Sequence, residues 1–244
     1  MFAHIVATLH APAYRAKFAP LLKQGWPRVP LPATLEPLLI SAALGERIIA
    51  LNLTDTPVPG VTAGKPRPEL RLVSVVTGVG GTSLDDAGED LAVTASWGSR
   101  ARPGAPVMPG TGHIAEREYS AAEREAIEEG AAALGRTAAD LLACLGEKTV
   151  DVYLSDSAFW SNVPQAVWGF FASGHPVLKK WLSYRDRRVL GRPLRSADAL
   201  AFRDVARRIA ALLLYGPALD AAHLEAAASA IALREPIEPP DTEG

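Results

Sequence analysis

Residues 120–154 read SAAEREAIEEGAAALGRTAADLLACLGEKTVDVYL and contain two helix starts, one helix stop and a strand. Ser120, followed three residues later by Glu123, is a capping box, in which each residue satisfies an unpaired N–H of the other at a helix start. Ile127, Ala131 and Leu134 recur at helical spacing and predict one apolar face. Gly135 supplies the left-handed residue that ends the helix, and Thr137 with Asp140 repeats the box for a second helix through Leu145. Thr149 to Leu154 is rich in β-branched residues and predicts a strand. Two helices feeding a strand set the pattern for the chain.

Working outward, residues 2–24 predict two short helices around a bend at Pro12. Trp26-Pro27-Arg28-Val29-Pro30-Leu31-Pro32 must be extended, because alternate prolines forbid helix. Thr34 to Leu51 regains helical spacing, and 54–68, with four prolines and two glycines, reads as a loop. Leu70–Val76 and Leu91–Trp97 predict two strands joined by a hairpin loop that contains Gly78-Val79-Gly80-Gly81. The Gly/Pro-rich 98–115 is a second long loop. Trp168–Ala172 predicts a strand, and Pro176 the first turn of a helix reaching about Arg185. Ser196 caps the last clear helix, with Phe202, Val205, Ile209, Leu212 and Leu213 on one face and Gly216-Pro217 ending it. Residues 235–244, with three prolines and four acids, are expected to be a disordered tail. The order of elements implies an α+β fold, with mixed helices and a small sheet and with helical N- and C-terminal segments around a central strand region.

The 244 residues carry 25 Lys+Arg against 27 Asp+Glu, a net charge of −2. That total conceals opposed blocks. Residues 1–35 hold Arg15, Lys17, Lys23 and Arg28 and no acid. Residues 176–208 hold ten bases against three acids, whereas the last 25 residues hold six acids and only Arg234. Segregated charge of this kind bears on partners rather than on fold. The single Cys144 excludes a disulfide framework or a multi-Cys zinc site and is expected in the core beside Leu141, Leu142 and Leu145. No apolar run reaches the 18 or so residues that span a bilayer, and no signal peptide is read after Met1, so a cytoplasmic protein without a membrane partner is expected.

Familiar reaction centres do not match. The segment Gly78–Gly81 lacks the third glycine of a dinucleotide loop, and no Lys-Ser/Thr follows it. His4, His10, His113, His175 and His223 form no metal-binding pair on a helix turn. There is no Gly-x-Ser-x-Gly elbow, no acid two residues before any of the six lysines, and no Asn/Asp-Pro-Pro-Tyr pocket for a flipped base. No catalytic residue, no metal and no cofactor is therefore expected.

Two stretches carry a resemblance. Leu9-His10-Ala11-Pro12-Ala13-Tyr14-Arg15 with Pro27-Arg28-Val29-Pro30-Leu31 is similar to the segment that follows the methyltransferase domain in large single-chain adenine-modifying restriction enzymes. Trp168 to Leu194, centred on Ser173-Gly174-His175-Pro176-Val177-Leu178-Lys179-Lys180-Trp181-Leu182-Ser183-Tyr184-Arg185, resembles the C-terminal specificity domain of type ISP restriction–modification enzymes. Where this chain has Ser173-Gly174-His175 the family carries Gly-Gly-Tyr. The resemblance implies a target-recognition module in a phage-defence or restriction–modification system, not an enzyme by itself. It also implies two partners: double-stranded DNA, and a separate adenine methyltransferase, helicase or nuclease subunit.

On that reading residues 1–60 are a helical connector, 61–234 the target-recognition domain and 235–244 the tail. A helix from Pro176 puts Lys180 and Tyr184 on one face beside Trp181 and Arg185. The candidate DNA contacts are Lys179, Lys180, Tyr184, Arg185, Arg187, Arg188, Arg192 and His175, with Tyr14, Arg15 and Lys17 near the N-terminus. Trp181 and Leu182 are expected in the core, and Arg203 and Arg207 are ranked lower because Asp204 can pair with them. Arg100, Arg102 and His113 stand in the 98–115 loop as further candidates. The alternative is a scaffold that docks on a methyltransferase partner without touching DNA.

Overall fold

Pro12 divides the first helical stretch as its ring requires. In the computed structural model, which describes residues 1–85, 89–172 and 174–231, α1 (Phe2–His10) ends before it and α2 (Pro12–Leu22) starts on it. By contacts the chain forms two compact units, Met1–Ala50 with Tyr215–Gly244, and Leu51–Leu214. The acidic tail expected at 235–244 lies outside the described residues.

The first unit contains α1, α2, most of α3 (Leu35–Asn52) and a helix near the C-terminus, α11 (Gly216–Ala228). A side chain on Gly45 would lie 1.8 Å from the carbonyl oxygen of Ala3, so α1 and α3 touch backbone to backbone only because glycine stands there. His4 is fully buried. Its Nε2–H donates to the Pro30 carbonyl at 2.8 Å and its Nδ1 pairs with the Ser41 hydroxyl at 2.9 Å. The prolines keep 26–31 extended, and Ala33 and Ile231 hydrogen-bond to the carbonyls of Ser229 and Leu31. The helix opened by Ser196 does end at Leu214, just before Gly216-Pro217, but it is not the last of the chain. Pro217 falls in the first turn of α11, where its missing N–H costs nothing.

The second unit has a four-stranded antiparallel sheet in the order β1-β6-β5-β4, formed by β1 (Val75–Gly78), β4 (Ile114–Arg117), β5 (Thr149–Tyr153) and β6 (Ala158–Pro164). Two-residue ribbons pair β2 (Gly98–Ser99) with β3 (Met108–Pro109), and β7 (Phe171–Ala172) with β8 (His175–Pro176). Both capping boxes form, opening α5 (Ala121–Ala133) and α6 (Ala138–Leu145). Single turns α4 (Pro68–Arg71), α7 (Gln165–Trp168) and α9 (Arg187–Leu190) punctuate the chain, with α8 (Val177–Ser183) and α10 (Ser196–Leu214) longer. The core centres on Trp160, whose ring stacks on Phe202 of α10 at 4.0 Å, with Trp181 edge-on to Phe202 at 5.2 Å. Mixed helices around small antiparallel sheets make this an α+β protein.

Four local expectations need correction. Leu70 and Arg71 are helical, and the strand starts only at Val75, after Ser74 adopts a left-handed φ of 57°. Leu91–Trp97 is not a strand, although Leu91, Ala92, Val93 and Trp97 are buried. Its backbone groups pair with Leu154, Arg187 and Leu194 in three separate segments, and Ser96 turns the chain at φ 63°. The Gly78–Gly81 segment closes no hairpin, because β1 pairs with the distant β6. Trp168 belongs to a helical turn, leaving only Phe171–Ala172 extended. The strand β6, whose Ala158, Trp160 and Asn162 are buried in alternation, was not read from the sequence. Side chains shift as well. Leu134 is exposed just past the end of α5, and Cys144 is half-buried beside the Arg136 guanidinium at 3.5 Å.

Candidate nucleic-acid interface

The helix α8 has two contrasting faces. Leu178 and Leu182 are fully buried, whereas Lys180 and Tyr184 are exposed and Lys179 is half-buried. The spacing that buries the leucines turns Lys180 and the following Tyr184 outward. Arg185 lies over the Trp181 ring, with its guanidinium carbon 3.7 Å from the ring centroid, and donates to the Trp181 carbonyl at 3.3 Å. Burial lowers the guanidinium pKa of Arg185 from its ordinary value; the Asp198 charge opposes the shift and the Arg192 charge adds to it. Trp181 is half-buried, meeting Phe202 edge to face while Arg185 covers its ring. His175 is exposed on β8, immediately before α8.

The β2–β3 ribbon packs against α8. A side chain on Gly98 would meet the Ser183 carbonyl oxygen at 2.1 Å, so only glycine lets the ribbon approach the helix end. Asp186, fully buried, accepts from the Gly98 N–H at 3.1 Å, from the Arg188 N–H at 3.0 Å and from the Arg188 guanidinium at 3.0 and 3.2 Å. Burial works to raise its carboxyl, but these donors outweigh burial and hold it below the ordinary value. Arg188 also donates to the Gly98 carbonyl at 3.1 Å. At the other root of the ribbon, Gly110 and Gly112 donate to the carbonyls of Trp97 and Ser96. Between these roots the 100–107 loop exposes Arg100 and Arg102.

Much of the basic block serves structure. Arg187 pairs with Glu89 at 3.2 Å, Arg188 with Asp186, Arg192 with Asp198 at 2.8 Å and Arg203 with Asp204 at 3.3 Å. Arg207 is buried and donates to the Arg71 carbonyl at 2.7 Å; burial, with Arg203 nearby, brings its guanidinium down to about 10. Arg208 is buried and donates to the carbonyls of Leu51, Thr54 and Thr56. Among the described residues, Lys179, Lys180 and Arg195 form no ion pair. The candidates at 175–192 thus gather around α8 and α9, although Arg187, Arg188 and Arg192 are already engaged.

Tyr14 is not a surface residue: it is 1% exposed, its hydroxyl donates to the Arg28 carbonyl at 3.1 Å, and its ring packs on Phe18 and His223. Arg15 and Lys17 are exposed in the first unit. His113 stacks on Tyr153 at 4.2 Å, at the edge of the sheet. The sequence reading overlooked Asp186 and Gly98. Asp186 was legible as the N-cap residue of a helical turn, whereas Gly98 is explained only by Ser183, 85 positions away. Among the described residues no group of three or more His, Cys, Asp or Glu is placed to hold a metal, and no helix is long and apolar enough to cross a membrane.

A short basic helix thus lies beside an arginine-bearing ribbon on an α+β frame. The chain belongs to the type ISP C-terminal specificity domain family, whose profile matches residues 1–210. Target recognition in a restriction system is the role that this family carries. A search of curated proteins and a search of solved structures each returned no match.

Proposed function

We propose that the chain binds double-stranded DNA at a specific sequence and sets the target of a restriction–modification methyltransferase, without catalysing a reaction itself. Lys179, Lys180 and Arg185 engage phosphates, with Tyr184 and His175 beside them. Arg100 and Arg102 on the ribbon loop reach base edges, where arginine is the commonest specific donor to guanine. Arg187, Arg188 and Arg192 add field rather than direct contacts, since their donors are already committed. Arg15 and Lys17 add phosphate contacts from the first unit. The observation that carries this reading is α8, which turns Lys180 and Tyr184 to solvent with no carboxylate paired to Lys180 among the described residues. The DNA-modifying chemistry then belongs to a methyltransferase, helicase or nuclease partner subunit, and the cytoplasm is where such a complex works.

The test is binding to genomic DNA fragments at several salt concentrations, since phosphate contacts make affinity fall linearly with salt on a log–log plot. Lys180→Ala with Arg185→Ala is expected to weaken binding and flatten that dependence. No binding at low salt, or binding unchanged in the double variant, overturns the proposal. The exposed apolar Leu35 and Leu39, one turn apart on α3, favour the second reading, a scaffold docked on the methyltransferase. Co-purification with that subunit and no DNA shift would establish it instead.

A further inference from the structure

The first unit contains a groove that the α8 surface does not account for. It encloses about 280 Å³ and is lined by Tyr14, Phe18, Leu22, Gln24, Trp26 and Arg28 among others. Trp26 is 94% exposed at its rim, although an indole is among the most apolar surfaces a protein can present. A second hollow of about 170 Å³ shares Phe18 and Arg28 and adds Lys17 and His223. Lys17 lies over the Phe18 ring, 5.4 Å from its centroid.

Two properties narrow the occupant. Arg28 lines the groove and Lys17 the adjoining hollow, neither forms an ion pair with another described residue, and residues 1–35 contain no acid, so this pair of cations attracts an anion. Its volume falls just below the range of small-molecule sites, about 300 to 1,000 Å³. A helix or a strand is too large, whereas one flat ring system fits. Anionic and flat together describe a nucleotide. Trp26 offers a ring face, Gln24 an amide that both donates and accepts, and Lys17 and Arg28 the cations.

We propose that this groove takes a single unstacked nucleobase of a DNA strand, stacked on Trp26, with its flanking phosphates held by Lys17 and Arg28. The inference rests on the DNA-binding reading above, and its site is separate from α8 in sequence and in unit. The full chain is titrated with a short single-stranded oligonucleotide, with the matching intact duplex, and with that duplex carrying one extrahelical base. Trp26→Ala is expected to weaken the single strand and the bulged duplex about tenfold, the scale of one lost base–aromatic stack, and to leave the intact duplex unchanged. Trp26→Phe keeps a stacking face and stays within about threefold of the parent chain. Tryptophan fluorescence quenched by the strand in the parent chain, and less so in Trp26→Phe, would place the base on that ring.

Three results overturn the proposal: unchanged affinity in Trp26→Ala, an equal loss for the intact duplex, or displacement of the strand by an acidic peptide that binds as tightly. Loss only in Lys17→Ala with Arg28→Ala does so too, since it reduces the groove to a phosphate patch. Because Trp26 is almost wholly exposed, its variants are expected to fold. The Lys180→Ala and Arg185→Ala variant on intact duplex tests the α8 surface independently, so either site can fail while the other stands.

Discussion

The helices α8 and α10 lie in the same unit, separated by α9, and both carry cations, but those cations meet opposite fates. On α8, Lys180 is exposed and no ion pair forms at it among the described residues. On α10, Arg207 and Arg208 are buried and donate to backbone carbonyls of residues 51–71. Both stretches count toward the basic block. The difference lies in which side of the apolar stripe each cation falls on. Arg207 and Arg208 lie between the buried Ala206 and Ile209, whereas Lys180 lies opposite Leu178 and Leu182. A buried guanidinium has five donors with which to tie several loop carbonyls at once, and a lysine has no such fork.

The contrast breaks hardest at Asp186, the buried carboxylate that keeps Arg188 engaged. Asp186→Ala is expected to cost about 3–4 kcal/mol in a urea melt, because it strands the buried N–H of Gly98 and removes the N-cap of α9. The same residue has a pH signature. Its carboxyl is held below the ordinary 3.8, so the unfolded chain binds more protons than the folded one between the two values. That contribution to stability is full above about 3.8 and is lost as pH falls through the folded value, so Asp186→Asn should flatten the acid limb of the stability curve.

Next in size, Arg208→Ala should destabilise by about 3 kcal/mol, because it leaves buried carbonyls without a donor, and DNA affinity of the folded fraction should not change. Gly98→Ala, whose methyl would meet the Ser183 backbone, should cost about 1–3 kcal/mol and displace the ribbon. Selectivity among DNA sequences is expected to relax more than affinity for any one of them. The smallest effect on stability, within about 0.5 kcal/mol, belongs to Lys180→Ala, which should instead reduce the slope of log affinity against log salt by about one. A Lys180→Ala chain that melts early, or an Arg208→Ala chain that does not, would erase the distinction between the two helices.

The parts legible in the sequence were those fixed by neighbours along the chain. The boxes at Ser120–Glu123 and Thr137–Asp140, the bend at Pro12 and the start of α8 after Pro176 each depend on residues within one helical turn. Leu91–Trp97 was not legible, because its alternation suits a strand while its hydrogen bonds go to residues 154, 187 and 194. Gly216-Pro217 misled because the same pair that ends one helix can open another. At the candidate site, α8 and its outward residues followed from periodicity. The neutralisation of Arg187 did not, because Glu89 lies 98 positions away. Nor did the burial of Tyr14, whose local spacing does not reveal that Arg28 and His223 close over it.

The ribbon is fastened at both roots, by Asp186 on Gly98 and by Ser96 and Trp97 on Gly112 and Gly110. None of these fastenings involves residues 100–107. A segment held this way behaves as an interchangeable cassette: its length and side chains can be rewritten without loosening the frame, since lengthening a surface loop adds little closure entropy. On the proposed function, new DNA targets arise by changes in those few positions, while the seat that carries them stays as it is.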